Sequence, residues 1–233
     1  MQRFKYLVFV CILSVFCNSL LAQTKASDKS WQSDYRQAQD LFLKEKYASA
    51  QYLFDRVVKH NPDCADAYYY GAVCSSKLDN NDAQYRMDEF LRRYPQSGRC
   101  NMARFFLGNF YYSRSDYSTA MKYYKQVVIN ELEYGTKSEY EFKLGYCHFM
   151  AGDIKTAKSY FSHQLSGKSK YKNSSLYYYA HIQYMDAEYD LALDNFNKLK
   201  KDRRFARIIP SYEARIYYYL GREEDLLRMA PEV

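Results

Sequence analysis

Apolar and polar residues along this chain keep a helical rhythm over most of its length. In Met102–Ile129, MARFFLGNFYYSRSDYSTAMKYYKQVVI, apolar residues return every three or four positions, break at Ser113–Asp116 and then resume. That spacing predicts two helices joined by a turn. Gly108 lies in the first helix; Ala120 follows twelve residues later, Tyr124 four after that and Val127 three after that. The small residues let two helices cross closely, and the larger ones fill the space beside the crossing.

The same frame recurs as Ala38, Ala50, Phe54 and Val57; as Gly71, Ala83, Met87 and Phe90; as Gly145, Ala157, Phe161 and Gln164; and as Ala180, Ala192, Phe196 and Leu199. A sixth copy begins with Ala214 and Leu226. Taking the second position of each copy (Ala50, Ala83, Ala120, Ala157, Ala192, Leu226), the steps are 33, 37, 37, 35 and 34 residues. A fixed period of this size means a repeat whose units stack on their neighbours. Turns are expected at Glu45–Lys46, Asp79–Asp82, Ser113–Asp116, Gly152–Asp153, Ala187–Glu188 and Gly221–Arg222. Pro62 and Pro95 end second helices, because an interior proline removes a hydrogen bond and clashes with the preceding turn. Loops at Gln96–Cys100, Leu132–Lys137 and Ser166–Asn173 absorb the longer periods. The expectation is an all-α fold of helix pairs, about five and a half repeats over residues 31–233.

Three segments, LGNFYYSRSDYSTAMKYYKQVV (Leu107–Val128), LGYCHFMAGDIKTAKSYF (Leu144–Phe161) and FLKEKYASAQYLFDRVVKHNP (Phe42–Pro62), carry a resemblance to the tetratricopeptide repeat family. It extends over nearly all of Trp31–Ala230, with repeats two and six departing most. The resemblance implies a right-handed superhelical solenoid of antiparallel helix pairs, with a concave surface that takes protein or peptide partners and no catalysis.

In such a fold a second stripe of each first helix faces the concave side, at spacing i, i+4 and i+7. Its members are Tyr35, Gln39 and Phe42; Tyr68, Ala72 and Ser75; Phe105, Asn109 and Tyr112; Phe142, Tyr146 and Phe149; Tyr177, His181 and Tyr184; and Ser211, Arg215 and Tyr218. The expected groove is Tyr68, Phe105, Asn109, Tyr112, Phe142, Tyr146, Phe149, Tyr177, His181 and Tyr184, because a patch of exposed aromatic rings marks a contact site. Of each tyrosine triplet a core needs one member: Tyr179 adjoins Ala180, and Tyr177 is turned away from it. Family members that clamp a terminal carboxylate use Lys, Arg and Asn on this surface. Here Asn109, Lys143 and Arg215 form no coherent basic clamp, so neutral or hydrophobic segments suit it better.

Composition agrees with a thin helical fold. The chain has 233 residues, 48% hydrophobic and 26% charged, with only 8 Gly and 4 Pro. Its 28 tyrosines can pack a ring while keeping a hydroxyl wet. The formal charge of +7 is mild and does not suggest a nucleic-acid binder. Basic runs at Lys168–Lys172 and Lys198–Arg207 read as solvated surface, with contact to anionic envelope polymer or lipid as the sharper alternative.

The N-terminus has the layout of an export signal. Arg3 and Lys5 precede an apolar run from Tyr6 to Phe16, and Leu20-Leu21-Ala22 offers cleavage after Ala22. The run is short for a membrane span of about 20 residues. Residues 1–22 are therefore expected to be removed and 23–30 to form a disordered leader. The mature protein would lie in the periplasm or cell envelope, peripheral to the membrane at most. An alternative lipid anchor at Cys17 is disfavoured by the bulky Phe16 before it. Beyond the signal, Cys64, Cys74, Cys100 and Cys147 are scattered over different repeats and read as free thiols.

No metal ligand set, catalytic motif or cofactor loop is present: there is no CxxC, HExxH, GxSxG or phosphate-cradling glycine run. His148 occupies a core position, and His181 is the one histidine on the expected groove. The reading is an exported, non-enzymatic protein-interaction scaffold, the alternative being a glycan- or small-ligand-binding module of the cell envelope. The sixth repeat stops where a second helix should continue, which suggests either part of a longer ancestor or a makeshift cap at Glu223–Ala230. Exposed Leu226, Leu227 and Met229 would then promote self-association.

Overall fold

The computed structural model describes residues 31–229; the expected signal segment, the leader and the last four residues lie outside them. Among the described residues, twelve α-helices and one short 3-10 turn follow one another, without strands. In chain order the helices are α1 (31–43), α2 (Tyr47–His60), α3 (Ala65–Lys77), α4 (Ala83–Arg93), α5 (Cys100–Ser113) and α6 (Tyr117–Tyr124), then α7 (Tyr134–Met150), α8 (Ile154–His163), α9 (Lys172–Met185), α10 (Tyr189–Asn197), α11 (Ile209–Tyr219) and α12 (Glu223–Met229). They form two compact units that divide between Ala103 and Arg104, inside α5.

The repeat frame is the core. In repeats one to five every frame position is buried, from Ala38, Ala50, Phe54 and Val57 to Ala180, Ala192, Phe196 and Leu199. In the sixth, Ala214 and Leu226 are only half-buried. The glycines explain the close crossings. A Cβ placed on Gly108 would fall 2.4 Å from the Tyr124 ring, and one on Gly145 would fall 2.7 Å from Tyr160 Cβ. At Gly71 the nearest atom would be 3.4 Å away, so that crossing is looser.

Each turn within a repeat uses one residue in the left-handed region: Glu45 (φ 57°), Asp79 (54°), Ser115 (61°), Gly152 (79°), Ala187 (60°) and Gly221 (64°). These are the six turn sites expected from the pattern. A left-handed residue after the last helical turn lets its N–H close on a free carbonyl and reverses the chain within a few residues. Only two of the six are glycine, so four repeats carry a strained L-residue there. The next helix is then started by Asp116, which accepts from Thr119 N–H at 3.0 Å, and by Asp153, which accepts from Thr156 N–H at 3.2 Å.

Polar contacts between neighbouring repeats recur at about one period. In the first unit, Arg86 pairs with Asp55 at 2.7 Å. In the second, Lys158 reaches Asp186 at 2.9 Å and Asn173 donates to Asp202 at 2.8 Å. Within each unit the pattern is that of successive helix pairs resting on their neighbours.

Two local expectations need adjustment. α7 begins at Tyr134, inside the stretch expected to be a loop, after the 3-10 turn Ile129–Glu131. α12 does exist, but Met229 is buried against the fold; Leu227 is exposed and Leu226 half-buried. The basic runs are partly paired: Lys170 lies 3.6 Å from Glu139, Lys200 2.6 Å from the buried Glu213 and Arg204 2.6 Å from Asp202. The four described cysteines are free, with Cys74, Cys100 and Cys147 buried.

Candidate functional site

The ten residues expected to line a groove divide between the units. Tyr68 lies in the first, half-buried, tilted against Tyr94 at 5.7 Å with the Arg93 guanidinium over its ring. The other nine lie in the second, on α5, α7 and α9. In repeat two the remaining stripe members, Ala72 and Ser75, are fully buried.

Phe105 and Phe142 are core residues, 5% and 9% exposed. The reason is geometric. Each stands three residues before its crossing glycine, hence only about 60° from it around the helix. The first stripe member therefore meets the aromatic of its own second helix, with centroid distances of 6.1 Å for Phe105–Tyr124, 6.0 Å for Phe142–Phe161, 6.1 Å for Tyr177–Phe196 and, in the first unit, 6.0 Å for Tyr35–Phe54. The two phenylalanines sink completely, whereas Tyr35 and Tyr177 stay half-buried.

The others form a connected ribbon of half-buried rings in the second unit. Tyr112 meets Tyr117 at 5.7 Å and Tyr146 at 5.6 Å. Tyr146 meets Tyr178 at 5.1 Å, which meets Phe149 at 5.5 Å, and Phe149 meets His181 at 5.7 Å. Tyr212 of α11 then links His181 to Tyr184, and Tyr189 stacks on the exposed Tyr219 at 5.1 Å. Most of these contacts are edge-to-face or tilted, which favours ring quadrupoles and holds each ring in place.

Several members escaped the spacing argument. Tyr178, between the groove and core members of its triplet, is the hub: it also stacks on Phe161 at 5.4 Å and lies 6.2 Å from Phe142. Tyr117 and Tyr189 stand at the first position of their helices, three residues before the frame alanines Ala120 and Ala192. An aromatic at that offset, shared by Tyr47, is a signal the sequence does carry.

The rings of the ribbon are themselves uncharged, with the Lys143 ammonium 5.2 Å from the centre of the Tyr112 ring and Arg215 beside Tyr184. Burial raises the phenols of Tyr112, Tyr146, Tyr178, Tyr184 and Tyr212 above their usual value. Burial also lowers the His181 imidazole, so the neutral ring is favoured. His181 Nδ1 lies 2.9 Å from the Tyr212 hydroxyl, which stands 3.3 Å from that of Tyr177. His148 is separate: it is buried, stacked on Tyr160 and 3.0 Å from Asp153 through Nδ1.

Asn109 and Lys143 come together, but around an internal carboxylate. Lys143 Nζ donates to Glu139 at 2.7 Å and to Asn109 Oδ1 at 2.8 Å, and the Tyr124 hydroxyl donates to the same Oδ1 at 2.7 Å. The lysine charge is thus matched within the fold, and Arg215 takes no part in this cluster. Among the described residues no group of three or more His, Cys, Asp or Glu could hold a metal ion, and no helix is long and apolar enough to cross a membrane.

The tetratricopeptide repeat model matches residues 35–75 and 77–131. No curated protein matches the sequence. Among solved structures, a protein described as pilF of Pseudomonas aeruginosa is 15% identical with a TM-score of 0.61, over 89% of this chain and 91% of that one. A tetratricopeptide repeat protein from Parabacteroides merdae is 15% identical with a TM-score of 0.62, over 88% and 79%. YrrB, described as a TPR protein with an unusual peptide-binding site, is 17% identical with a TM-score of 0.61, over 76% and 88%. At such identities the likeness shows the fold, which is all-α and tetratricopeptide-like.

Proposed function

We propose that this protein is a non-enzymatic interaction scaffold that holds an uncharged, extended segment of a partner protein against the aromatic ribbon of its second unit. The observation that carries the reading is the ribbon itself. Rings from α5, α7, α9 and α11 stay half-exposed while locking one another in place. Immobilised rings lose little further freedom on binding, which lowers the entropy cost of association. Their neutral phenols and imidazole suit apolar and uncharged side chains, and Lys143 is already held by Glu139 within the fold. The likeness to YrrB supports a peptide ligand. The signal-like segment at Met1–Ala22 supports export, so the partner would be an envelope protein.

The test is capture of a partner from envelope extract by the full chain, followed by Tyr146→Ala, Tyr177→Ala and Tyr184→Ala together. Phe142 is left intact because its truncation would open the core. An aromatic anchor contributes about 2 kcal/mol when fully desolvated, so binding should weaken at least tenfold while circular dichroism stays unchanged. A folded triple variant that binds as well as the parent would remove the ribbon from the account.

A further inference from the structure

The positive charge of this chain is concentrated. The described residues of the first unit hold ten Lys or Arg and ten Asp or Glu; those of the second hold twenty and fifteen, a formal +5. Within the second unit, Lys168–Lys172 and Lys198–Arg207 hold nine cations against Asp202 alone, a formal +8, so the rest of that unit sums to −3. The two stretches touch. Asn173 donates to Asp202 at 2.8 Å, and Arg204 donates to Ser174 Oγ at 3.2 Å. The nine cations therefore share one edge of the second unit. The preceding connection adjoins them, since a Cβ on Gly167 would come 2.8 Å from the Tyr134 hydroxyl. It carries Glu131 and Glu133 instead, so the positive field ends there.

Nearby carboxylates neutralise only part of the patch. Asp202 takes Arg204, Glu139 lies near Lys170 and the buried Glu213 takes Lys200. Lys168, Lys172, Lys201, Arg203 and Arg207 are exposed and form no ion pair among the described residues. Like charges crowded on one edge repel one another, and an anionic partner relieves that repulsion. The five stand along two loops rather than around one point, so they match a surface of many charges and not a single ion. Ile208, beside Arg207, is 42% exposed. Cations flanking an exposed apolar side chain suit a membrane interface, where charge meets headgroups and the apolar group meets the acyl boundary. A soluble polyanion has no use for the isoleucine. The nearest rings are already stacked, Tyr171 on Phe142 at 5.0 Å and Phe205 on Tyr177 at 4.9 Å, which leaves little platform for nucleic-acid bases.

We infer that this edge of the second unit docks peripherally on an anionic phospholipid bilayer, with Lys168, Lys172, Lys201, Arg203 and Arg207 on headgroup phosphates and Ile208 at the acyl boundary. The surface uses other side chains than the aromatic ribbon, so the two can be tested separately.

The test is co-sedimentation of the full chain with vesicles of phosphatidylcholine, with and without phosphatidylglycerol. Binding is expected only to the anionic vesicles and should fall as salt rises. Each cation near such a surface strengthens binding about fivefold, so Lys168→Gln, Lys201→Gln and Arg203→Gln together should weaken it about a hundredfold with the melting temperature unchanged. Lys59→Gln, Lys122→Gln and Lys155→Gln together remove the same charge elsewhere and should weaken it far less. Ile208→Ser keeps the charge and places a favoured residue at the N-cap of α11; it should lose several-fold in vesicle binding. Duplex DNA, poly-glutamate and inorganic phosphate, offered at equal anion concentration, should bind more weakly than the vesicles. Equal binding to both kinds of vesicle, binding to neither, an unchanged patch variant, an unchanged Ile208→Ser, or tighter binding to a soluble anion would each overturn the inference.

Discussion

Adding one methyl group to the crossing glycines should have opposite effects in different repeats. In Gly108→Ala the new Cβ would lie 2.4 and 2.5 Å from two carbons of the Tyr124 ring and 3.0 Å from a third. Carbon contacts are comfortable at about 3.5–4.0 Å, so the ring must retreat by about 1 Å. It has little room. Tyr124 is fully buried, faces Phe105 and Tyr140 at centroid distances of 6.1 and 5.7 Å, and is anchored through its hydroxyl to Asn109. Overpacking of this kind costs about 1–3 kcal/mol, and straining the hydroxyl bond adds about 1 kcal/mol. The helix gains about 1 kcal/mol from losing a glycine, so a net loss of roughly 1–3 kcal/mol is expected. In Gly71→Ala the nearest atoms would be Asp55 Oδ1 at 3.4 Å and Phe54 Cβ at 3.6 Å, which is ordinary contact. Only the helix term remains, and up to about 1 kcal/mol of stabilisation is expected. Urea unfolding of both variants, followed by circular dichroism, decides between these signs. A Gly108→Ala protein as stable as the parent, or a Gly71→Ala protein that is clearly weaker, would refute the close-crossing argument.

Ala187 holds a left-handed conformation at φ 60° without the side-chain freedom of glycine; Ala187→Gly should stabilise by roughly 0.5–1 kcal/mol and raise the melting temperature, whereas Gly152→Ala should lower it. His181 is held neutral by burial, so the unfolded chain takes up its proton first: this contribution to stability is complete above the ordinary value of 6.5 and is lost as pH falls through the lower folded value. His181→Phe should flatten the stability profile between neutral pH and pH 5, and an NMR titration of the ring should show the lowered midpoint; an ordinary midpoint would contradict this. Burial pushes the Cys74 and Cys147 thiols up to about 12, so iodoacetamide at pH 8 should label half-buried Cys64 first and those two only on unfolding. Rapid native labelling of either would count against the packing described.

The frame was legible because it is written in small residues at a near-constant period. Gly108, Ala120, Gly145 and Ala157 cannot be replaced by bulk without clashing, so their spacing survives in the sequence. The six turns were legible for a related reason, since each helix pair must reverse in few residues. The concave stripe was less so. Spacing at i, i+4 and i+7 picks residues on one side of a helix, but does not say how far a neighbouring helix covers that side. Phe105 and Phe142 are covered, and Tyr177 is half-covered at the equivalent place. Tyr178 was missed because its partners Phe142, Tyr146 and Phe149 come from the preceding repeat.

The central claim is that the aromatic ribbon of the second unit is where a partner protein sits. A photo-crosslinking amino acid placed at Tyr146 or Tyr184, and at the exposed Lys122 or Lys155 on the second helices, tests it in intact cells. The account predicts one discrete protein adduct from the two ribbon positions and none from the two lysine positions. Adducts from Lys122 or Lys155 with the ribbon positions silent would contradict it.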